Sequence, residues 1–130
     1  MITLGTPLSE RWYAVRAYLA GLEGLPQTTQ STIKVCLFSS SSDKVFNDFV
    51  YGQIRKGSWA SVRLVHTGFP IVHTTRKNVI EKNPVRFEYA ARIMNLISRT
   101  AVEDQSEFCW FVKDDVSIPP DACQKHLALL

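Results

Sequence analysis

Two adjacent carboxylates, Asp114 and Asp115, follow directly after the apolar run at residues 108–112 and Lys113. Neighbouring carboxylates are costly to keep ionised side by side unless a positive charge compensates them, and a hard divalent cation does so. A cation held by only one or two carboxylates commonly completes its coordination shell with water and substrate phosphates. The pair therefore favours a divalent-cation site that accepts a diphosphate-bearing substrate.

The same carboxylates also suit a structural role. They would solvate the end of a buried strand and accept hydrogen bonds from the turn at residues 117–121. Asp43 has a similar double interpretation, because it lies at the expected N-cap of a helix. The serine run at residues 39–42 before it would let that helix N-terminus accept an anion. The histidines share no metal-ligand spacing, and neither a dinucleotide-binding glycine motif nor a P-loop is present.

The predicted elements that must position these residues alternate along the chain. Strands are expected at residues 2–6, 32–38, 60–67 and 108–112, and helices at residues 8–25, 45–54, 85–101 and from Pro119 onward. Strands separated by helices imply a parallel sheet, so the carboxyl ends of the strands share one edge. We therefore expect the acidic residues to meet at the crevice where strand order reverses.

Finer expectations concern individual elements. Ser9 is the predicted N-cap of the first helix, and residues 24–32 are expected to form a polar connector. The last strand should be buried on both faces, because its apolar run is continuous. The third long helix should bury one stripe of apolar side chains. The stripe comprises Phe87, Ala90, Ala91, Met94 and Ile97. The polar stretch at residues 68–84 is long enough to suggest a functional or mobile loop.

Length and composition predict one folded domain, residues 1–130, with 45% hydrophobic and 21% charged residues. The net charge of +3 is not gathered into the dense basic runs typical of nucleic-acid or membrane-surface binding. No run approaches the roughly 18 apolar residues of a membrane span. Cys36, Cys109 and Cys123 fit reduced core cysteines. We therefore expect a cytoplasmic protein without a transmembrane segment or a nucleic-acid partner.

Several short motifs resemble the nucleotide-sugar-binding half of family-2-type, GT-A-fold glycosyltransferases. They are "TP" at positions 6 and 7, "SSSSD" ending at Asp43, and "VKDDVSIPPDA" at residues 112–122. The resemblance spans nearly the whole chain. It implies a three-layer, Rossmann-like α/β fold of the nucleotide-diphospho-sugar transferase type, with a mostly parallel sheet of about four strands. Family members continue into an acceptor-binding half, so we expect a GT-A fold truncated after the DXD-like motif.

The resemblance also implies roles for individual residues. Thr6 and Pro7 would line the pocket for the base and ribose, and Asp43 would hydrogen-bond the base. Asp114 would face the ribose or diphosphate. Asp115 would bind the Mn²⁺ or Mg²⁺ that bridges the two phosphates.

Basic residues complete the predicted site. Arg92, in an Ala-Arg segment similar to one in the family, would lie near the donor. Lys113 stands where the family has an acidic residue, which removes one ligand and places a cation beside the metal. Arg76, Lys77 and Arg86 are candidates to cover the phosphates on closure. The acceptor half normally supplies the catalytic base, so the catalytic residues stay unknown.

The predicted function is transfer of a sugar from a nucleoside-diphosphate donor to an unknown acceptor, with a metal stabilising the leaving diphosphate. One alternative is a non-catalytic nucleotide-binding or accessory remnant that needs a partner chain. Another is a metal-dependent phosphatase or nucleotidyltransferase, which would need further carboxylates at strand ends. A sheet edge left where the acceptor half would pack would favour self-association or binding of a partner.

Overall fold

The computed structural model describes residues 1–69 and 84–130, and it describes the backbone alone for residues 84–87. The described strands are β1 (Ile2–Leu8), β2 (Ile33–Ser39), β3 (Ser61–His66) and β4 (Phe108–Phe111). The described helices are α1 (Trp12–Glu23), α2 (Gln27–Gln30), α3 (Lys44–Arg55), α4 (Pro84–Glu103) and α5 (Ala122–Ala128). Arg76, Lys77 and the side chain of Arg86, together with most of the long polar stretch, lie outside the described residues.

The described strands form one parallel sheet in the order β3-β2-β1-β4. The chain steps outward from β1 to β2 and β3, and then returns to place β4 on the other side of β1. The strand order therefore reverses between β1 and β4. The predicted parallel sheet of four strands is confirmed. Open α/β sheets bind ligands beyond the carboxyl ends of their strands, at such a reversal of strand order.

The two central strands are buried because helices cover both of their faces. On one face, alternate residues of β1 and β2 pack against α1 and α3, and Cys123 of α5 joins this cluster. The members from the strands are Ile2, Leu4, Leu8, Ile33, Val35 and Leu37. On the other face, Cys36 and Phe38 pack against Ile93 and Ile97 of α4. The result is the three-layer, Rossmann-like arrangement expected from the alternating pattern.

β4 lies at the edge of the sheet, so the prediction that it is buried on both faces is wrong. Phe108 is 39% exposed, and Cys109 is also exposed rather than part of the core. The apolar run resembles a central strand, but in the described sheet β4 pairs only with β1. The other side of β4 has no strand beside it in the described sheet. An open sheet edge of this kind was expected to favour association.

The buried stripe of α4 also differs from the predicted one. Ile97 of the predicted stripe is buried, together with Ile93 and Ala101, whereas Met94 is 51% exposed. Ala90 and Ala91 are exposed as well, and the side chain of Phe87 lies outside the described residues. The helix approaches β1 closely at Gly5, where an added Cβ would lie 2.3 Å from Cγ2 of Ile97. Gly5 therefore selects the face of α4 that is buried.

Element boundaries shift at the ends that carry the site. β1 continues to Leu8, two residues beyond its predicted end. The N-cap position of α1 is Arg11, so the prediction that Ser9 caps this helix is wrong. The predicted connector contains the short helix α2. The final helix begins at Ala122, after the prolines rather than within them.

Candidate functional site

At the carboxyl ends of the strands, β1 continues beyond the point where its pairing with β4 ends. The last paired residues are Gly5 of β1 and Phe111 of β4, and the Val112 N–H donates to the Gly5 carbonyl at 3.1 Å. Pro7 lies beyond this point. Since proline has no backbone N–H to donate to a ladder, its position agrees with strands that have already parted. The loops after β1 and β4 therefore face each other at the reversal of strand order.

Asp114 joins these two loops. It is only 3% exposed, and its Oδ2 accepts hydrogen bonds from the backbone N–H and the hydroxyl of Ser9 at 3.2 and 3.1 Å. Its Oδ1 accepts a hydrogen bond from Nη2 of Arg11 at 3.0 Å. Asp114 therefore has the structural role that the sequence also allowed. Its partners, however, belong to the loop between β1 and α1 and not to the turn at residues 117–121. A buried carboxylate is tolerated here because it is both paired and hydrogen-bonded.

Asp115 points into a wetter environment. Its side chain is 41% exposed, and its Oδ2 lies 3.5 Å from Nη2 of Arg11. One guanidinium therefore supplies the positive charge that the adjacent carboxylates require. Sequence reasoning missed Arg11, although a basic residue shortly after the first strand was the available signal. The carboxylate of Asp115 is the more accessible of the two.

The electrostatics of Arg11 reflect both burial and its partners. Burial lowers the pKa of the Arg11 guanidinium, but the charge of Asp114 and hydrogen bonds with Tyr13 and Asp114 raise it. The charge of Asp115 adds to this effect, and the net result is a pKa above the ordinary value. Arg11 is therefore a permanent cation beside Asp114 and Asp115.

Thr6 and Pro7 lie within β1, and both are buried. Tyr18 of α1 donates a hydrogen bond from its hydroxyl to Oγ1 of Thr6 at 2.7 Å. Burial raises the pKa of Tyr18, the hydrogen bond to Thr6 lowers it, and the charge of Asp114 raises it further. Thr6 thus lies in the core, two residues before the end of β1. The predicted contacts of Thr6 and Pro7 with a base or ribose stay predictions.

Asp43 caps α3, as the structural alternative predicted. Its Oδ1 accepts a hydrogen bond from the Val45 N–H at 2.9 Å. Its own N–H donates to Oγ of Ser41 at 3.0 Å, and that hydroxyl donates to Oε2 of Glu10 at 2.8 Å. Glu10 has a φ of 51°, an uncommon backbone conformation for a residue other than glycine. These bonds connect the loop after β2 to the loop after β1.

Arg92 lies in a separate cluster beside the end of β3. Its guanidinium is 5.8 Å from the ring centre of Phe69 and 5.7 Å from that of Tyr89. It also donates to Oε1 of Glu88 at 2.6 Å. Phe69 and Tyr89 stack with their ring centres 5.7 Å apart. Described contacts thus connect Arg92 to this aromatic pair, and its role near a donor stays a prediction.

Within residues 1–69 and 84–130, no group of three or more His, Cys, Asp or Glu residues forms a metal cluster. Both oxygens of Asp114 already accept hydrogen bonds. A divalent cation would therefore depend on Asp115, and its remaining ligands would be water and phosphate oxygens. The exposed carboxylate fits such a cation. Lys113, which is also exposed, would stand beside it.

Other carboxylates of the described chain lie elsewhere. Asp104 forms an ion pair with Arg63, and Asp121 forms one with Lys125. Asp48 is exposed on α3. The further carboxylates that a phosphatase or nucleotidyltransferase site needs are therefore not assembled among the described residues.

Among the helices that the structure describes, none is long and apolar enough to cross a membrane.

The fold defines a class: a Rossmann-like α/β domain whose strand order reverses between β1 and β4. No family model and no curated protein matches the chain. Solved structures of S. aureus TarS are similar, one with a TM-score of 0.58 at 14% identity over 98% of this chain. A structure of TarS 1-349 in complex with UDP-GlcNAc has a TM-score of 0.53 at 13% identity, again over 98% of this chain.

The chain spans 19% of the TarS chain in the first of these structures and 30% in the UDP-GlcNAc complex. Identity at this level shows a shared fold. The chain thus has the Rossmann-like, GT-A type of α/β fold that its motifs implied, and it matches a minor part of the larger protein.

Proposed function

We propose that the chain is the donor-binding part of a glycosyltransferase and binds a nucleoside-diphosphate sugar at the carboxyl ends of β1 and β4, where strand order reverses. The observation that carries this proposal is the placement of Asp115. Its exposed carboxylate stands where strand order reverses, on a loop that the buried Asp114 anchors to the loop after β1. The fold shared with TarS, which has been solved in complex with UDP-GlcNAc, supports a nucleotide-sugar ligand.

In this proposal, Mn²⁺ or Mg²⁺ would be held by Asp115 and would stabilise the negative charge that develops on the leaving diphosphate. The residues of the chain bind and orient the donor. Asp43 presents a carboxylate at the neighbouring loop for the base, while Glu10 and Ser41 keep that loop at a fixed distance from the loop after β1. Thr6 and Pro7 would line the base and ribose pocket from within β1.

Asp114 is assigned to positioning in this proposal, because its hydrogen bonds orient the loop that carries Asp115. Arg92 would reach the donor from the side of β3, where it already lies over two aromatic rings. The acceptor and the catalytic base are not identified. The cytoplasmic location also stays a prediction.

The test of metal-dependent donor binding is calorimetric titration with UDP and with GDP, each with and without Mn²⁺. We expect Asp115→Asn to weaken metal-dependent binding at least about tenfold, or about 1.4 kcal/mol, because it removes the charged ligand. Asp48→Asn is a matched control, since it removes the same charge from the exposed surface of α3. Equal affinity of the wild type and Asp115→Asn for nucleotide and metal would contradict the proposal.

Asp43 requires a variant that separates capping from ligand binding. We expect Asp43→Ala to lower the free energy of unfolding by about 1 kcal/mol, whereas Asp43→Ser should retain most of the stability because serine is a good N-cap. Both variants should bind nucleotide more weakly, since both lose the carboxylate. Urea denaturation and calorimetry measure the two effects. Normal nucleotide affinity in Asp43→Ser would leave Asp43 as a cap alone.

Turnover distinguishes an enzyme from the alternative of a non-catalytic binding module. Incubation of the wild type with UDP-sugar and GDP-sugar donors and Mn²⁺ should release free nucleoside diphosphate by slow donor hydrolysis. The Asp115→Asn variant should abolish this release. Metal-dependent nucleotide binding without any release of nucleoside diphosphate would favour the accessory module that needs a partner chain.

A further inference from the structure

Arg11 is the cation already present at the carboxylate pair, and its Nη2 lies 3.0 Å from Oδ1 of Asp114 and 3.5 Å from Oδ2 of Asp115. We propose that Arg11 competes with the divalent cation for Asp115, so that the metal binds strongly only together with a nucleoside diphosphate. This inference rests on the proposed function, because it concerns the metal ligand of the same site. It assigns Arg11 a positioning role that couples metal binding to donor binding.

The two contacts of Arg11 differ in strength. Asp114 is 3% exposed and accepts hydrogen bonds from Ser9 as well as from Arg11, so this contact belongs to the fixed core of the site. Asp115 is 41% exposed, and its contact with Arg11 at 3.5 Å is longer. An incoming cation can therefore take Asp115 away from Arg11 while Asp114 keeps the guanidinium in place.

The charges around Asp115 explain why strong metal binding would need a diphosphate. Arg11 contributes one positive charge, and Asp114 and Asp115 contribute two negative charges. A divalent cation alone would leave the cluster with an excess of positive charge, with Lys113 adjacent in sequence. Like charges at such distances oppose binding. The oxygens of a diphosphate remove this excess, so we expect the metal and the nucleotide to bind cooperatively.

The prediction is tested by Mn²⁺ binding without nucleotide, measured by electron paramagnetic resonance of free Mn²⁺. We expect Arg11→Gln to raise the Mn²⁺ association constant about tenfold, because it removes the competing cation. Arg16→Gln is the matched control. It removes the same charge from α1, five residues after Arg11, where Arg16 is exposed and lies 6.0 Å from the ring centre of Phe49. Its Mn²⁺ affinity should equal that of the wild type.

A second variant guards against unfolding of Arg11→Gln, which leaves Asp114 without its cation. Combining Arg11→Gln with Asp114→Asn replaces the buried ion pair with two neutral amides. We expect a smaller gain in Mn²⁺ affinity than in Arg11→Gln, because the double variant also loses one of the two negative charges. In the wild type, UDP or GDP should raise Mn²⁺ affinity about tenfold or more, and this increase should shrink in both variants.

The outcomes separate this inference from the proposed function. If the wild type binds Mn²⁺ with nucleotide but the variants gain no affinity for Mn²⁺ alone, the competition is overturned and the donor site stands. If wild-type Mn²⁺ affinity is the same with and without nucleotide, the proposed coupling of metal binding to nucleotide binding is overturned. Absence of Mn²⁺ binding to every variant, even with UDP or GDP, would overturn both proposals.

Discussion

Replacing Asp114 with alanine is expected to lower the free energy of unfolding by about 3 kcal/mol, the lower end of the cost of breaking a buried ion pair. The lower end applies because the Arg11 side chain remains 21% exposed. The substitution leaves the Arg11 guanidinium without its main partner, and it leaves the Ser9 N–H and hydroxyl without the carboxylate that they bind. Urea denaturation followed by tryptophan fluorescence measures the loss.

Asp115→Ala is the control for Asp114→Ala, because it removes the same charge from the next residue. The Asp115 carboxylate is largely solvated, so its loss should cost less than about 1 kcal/mol. Asp114→Asn should fall between the two, since the amide retains a hydrogen-bond acceptor for Ser9. If Asp114→Ala and Asp115→Ala proved equally mild, Asp114 would not anchor the loop, and the positioning role given to it would fail.

Gly21→Ala is expected to destabilise the protein by about 1–3 kcal/mol through overpacking, although alanine favours a helix over glycine by about 1 kcal/mol. An added Cβ at Gly21 would lie 2.7 Å from the backbone nitrogen of Ile118 and 3.2 Å from its carbonyl oxygen. A backbone cannot rotate away as a side chain can. The loop between Asp115 and α5 would therefore have to move off α1.

Gly52→Ala provides the matched comparison for Gly21→Ala. Gly52 also lies within a helix, but an added Cβ would have no described atom within 4 Å. This substitution should therefore stabilise the protein by about 0.5–1 kcal/mol through helix propensity alone. Thermal and urea denaturation should thus give opposite signs for the two variants. The same sign for both would show that α1 and the loop at Ile118 are not in the close contact described.

These two predictions concern the same structural feature, the loop that follows β4. The buried Asp114 holds one end of this loop against the loop after β1, and Ile118 fixes the next part against Gly21 of α1. Asp115 lies between these two anchors. A ligand residue held on both sides in this way loses little conformational freedom when it binds, which favours affinity. The stability of the loop and the chemistry proposed for Asp115 are therefore linked.

Local features were predicted well from the sequence. The strand and helix periodicities gave the order of the long elements, because alternation and helical spacing are properties of a few neighbouring residues. Asp43 was correctly predicted as the cap of α3, since the cap and the N–H it accepts from are two residues apart. The alternation of strands and helices also implied the parallel sheet, because such crossovers leave few other topologies.

Features that depend on strand order were not predictable in this way. An apolar run such as that of β4 has the same pattern whether one strand or two strands flank it, so its edge position was missed. The buried stripe of α4 was predicted correctly at Ile97 but wrongly at Ala90, Ala91 and Met94, for a related reason. The face that meets the sheet is selected by the space above Gly5, and Gly5 is far from Ile97 in sequence.

The sequence by itself determined the α/β class, the parallel sheet and the delivery of Asp43, Asp114 and Asp115 to one edge, because these follow from local periodicity and from the handedness of crossovers. Only the tertiary structure decided what compensates the adjacent carboxylates. The return of the chain past β1 brings Arg11 to within 3.0 Å of Asp114, although 103 positions separate them in sequence. Such a charge pair depends on the packing of distant segments, which no spacing along the chain records.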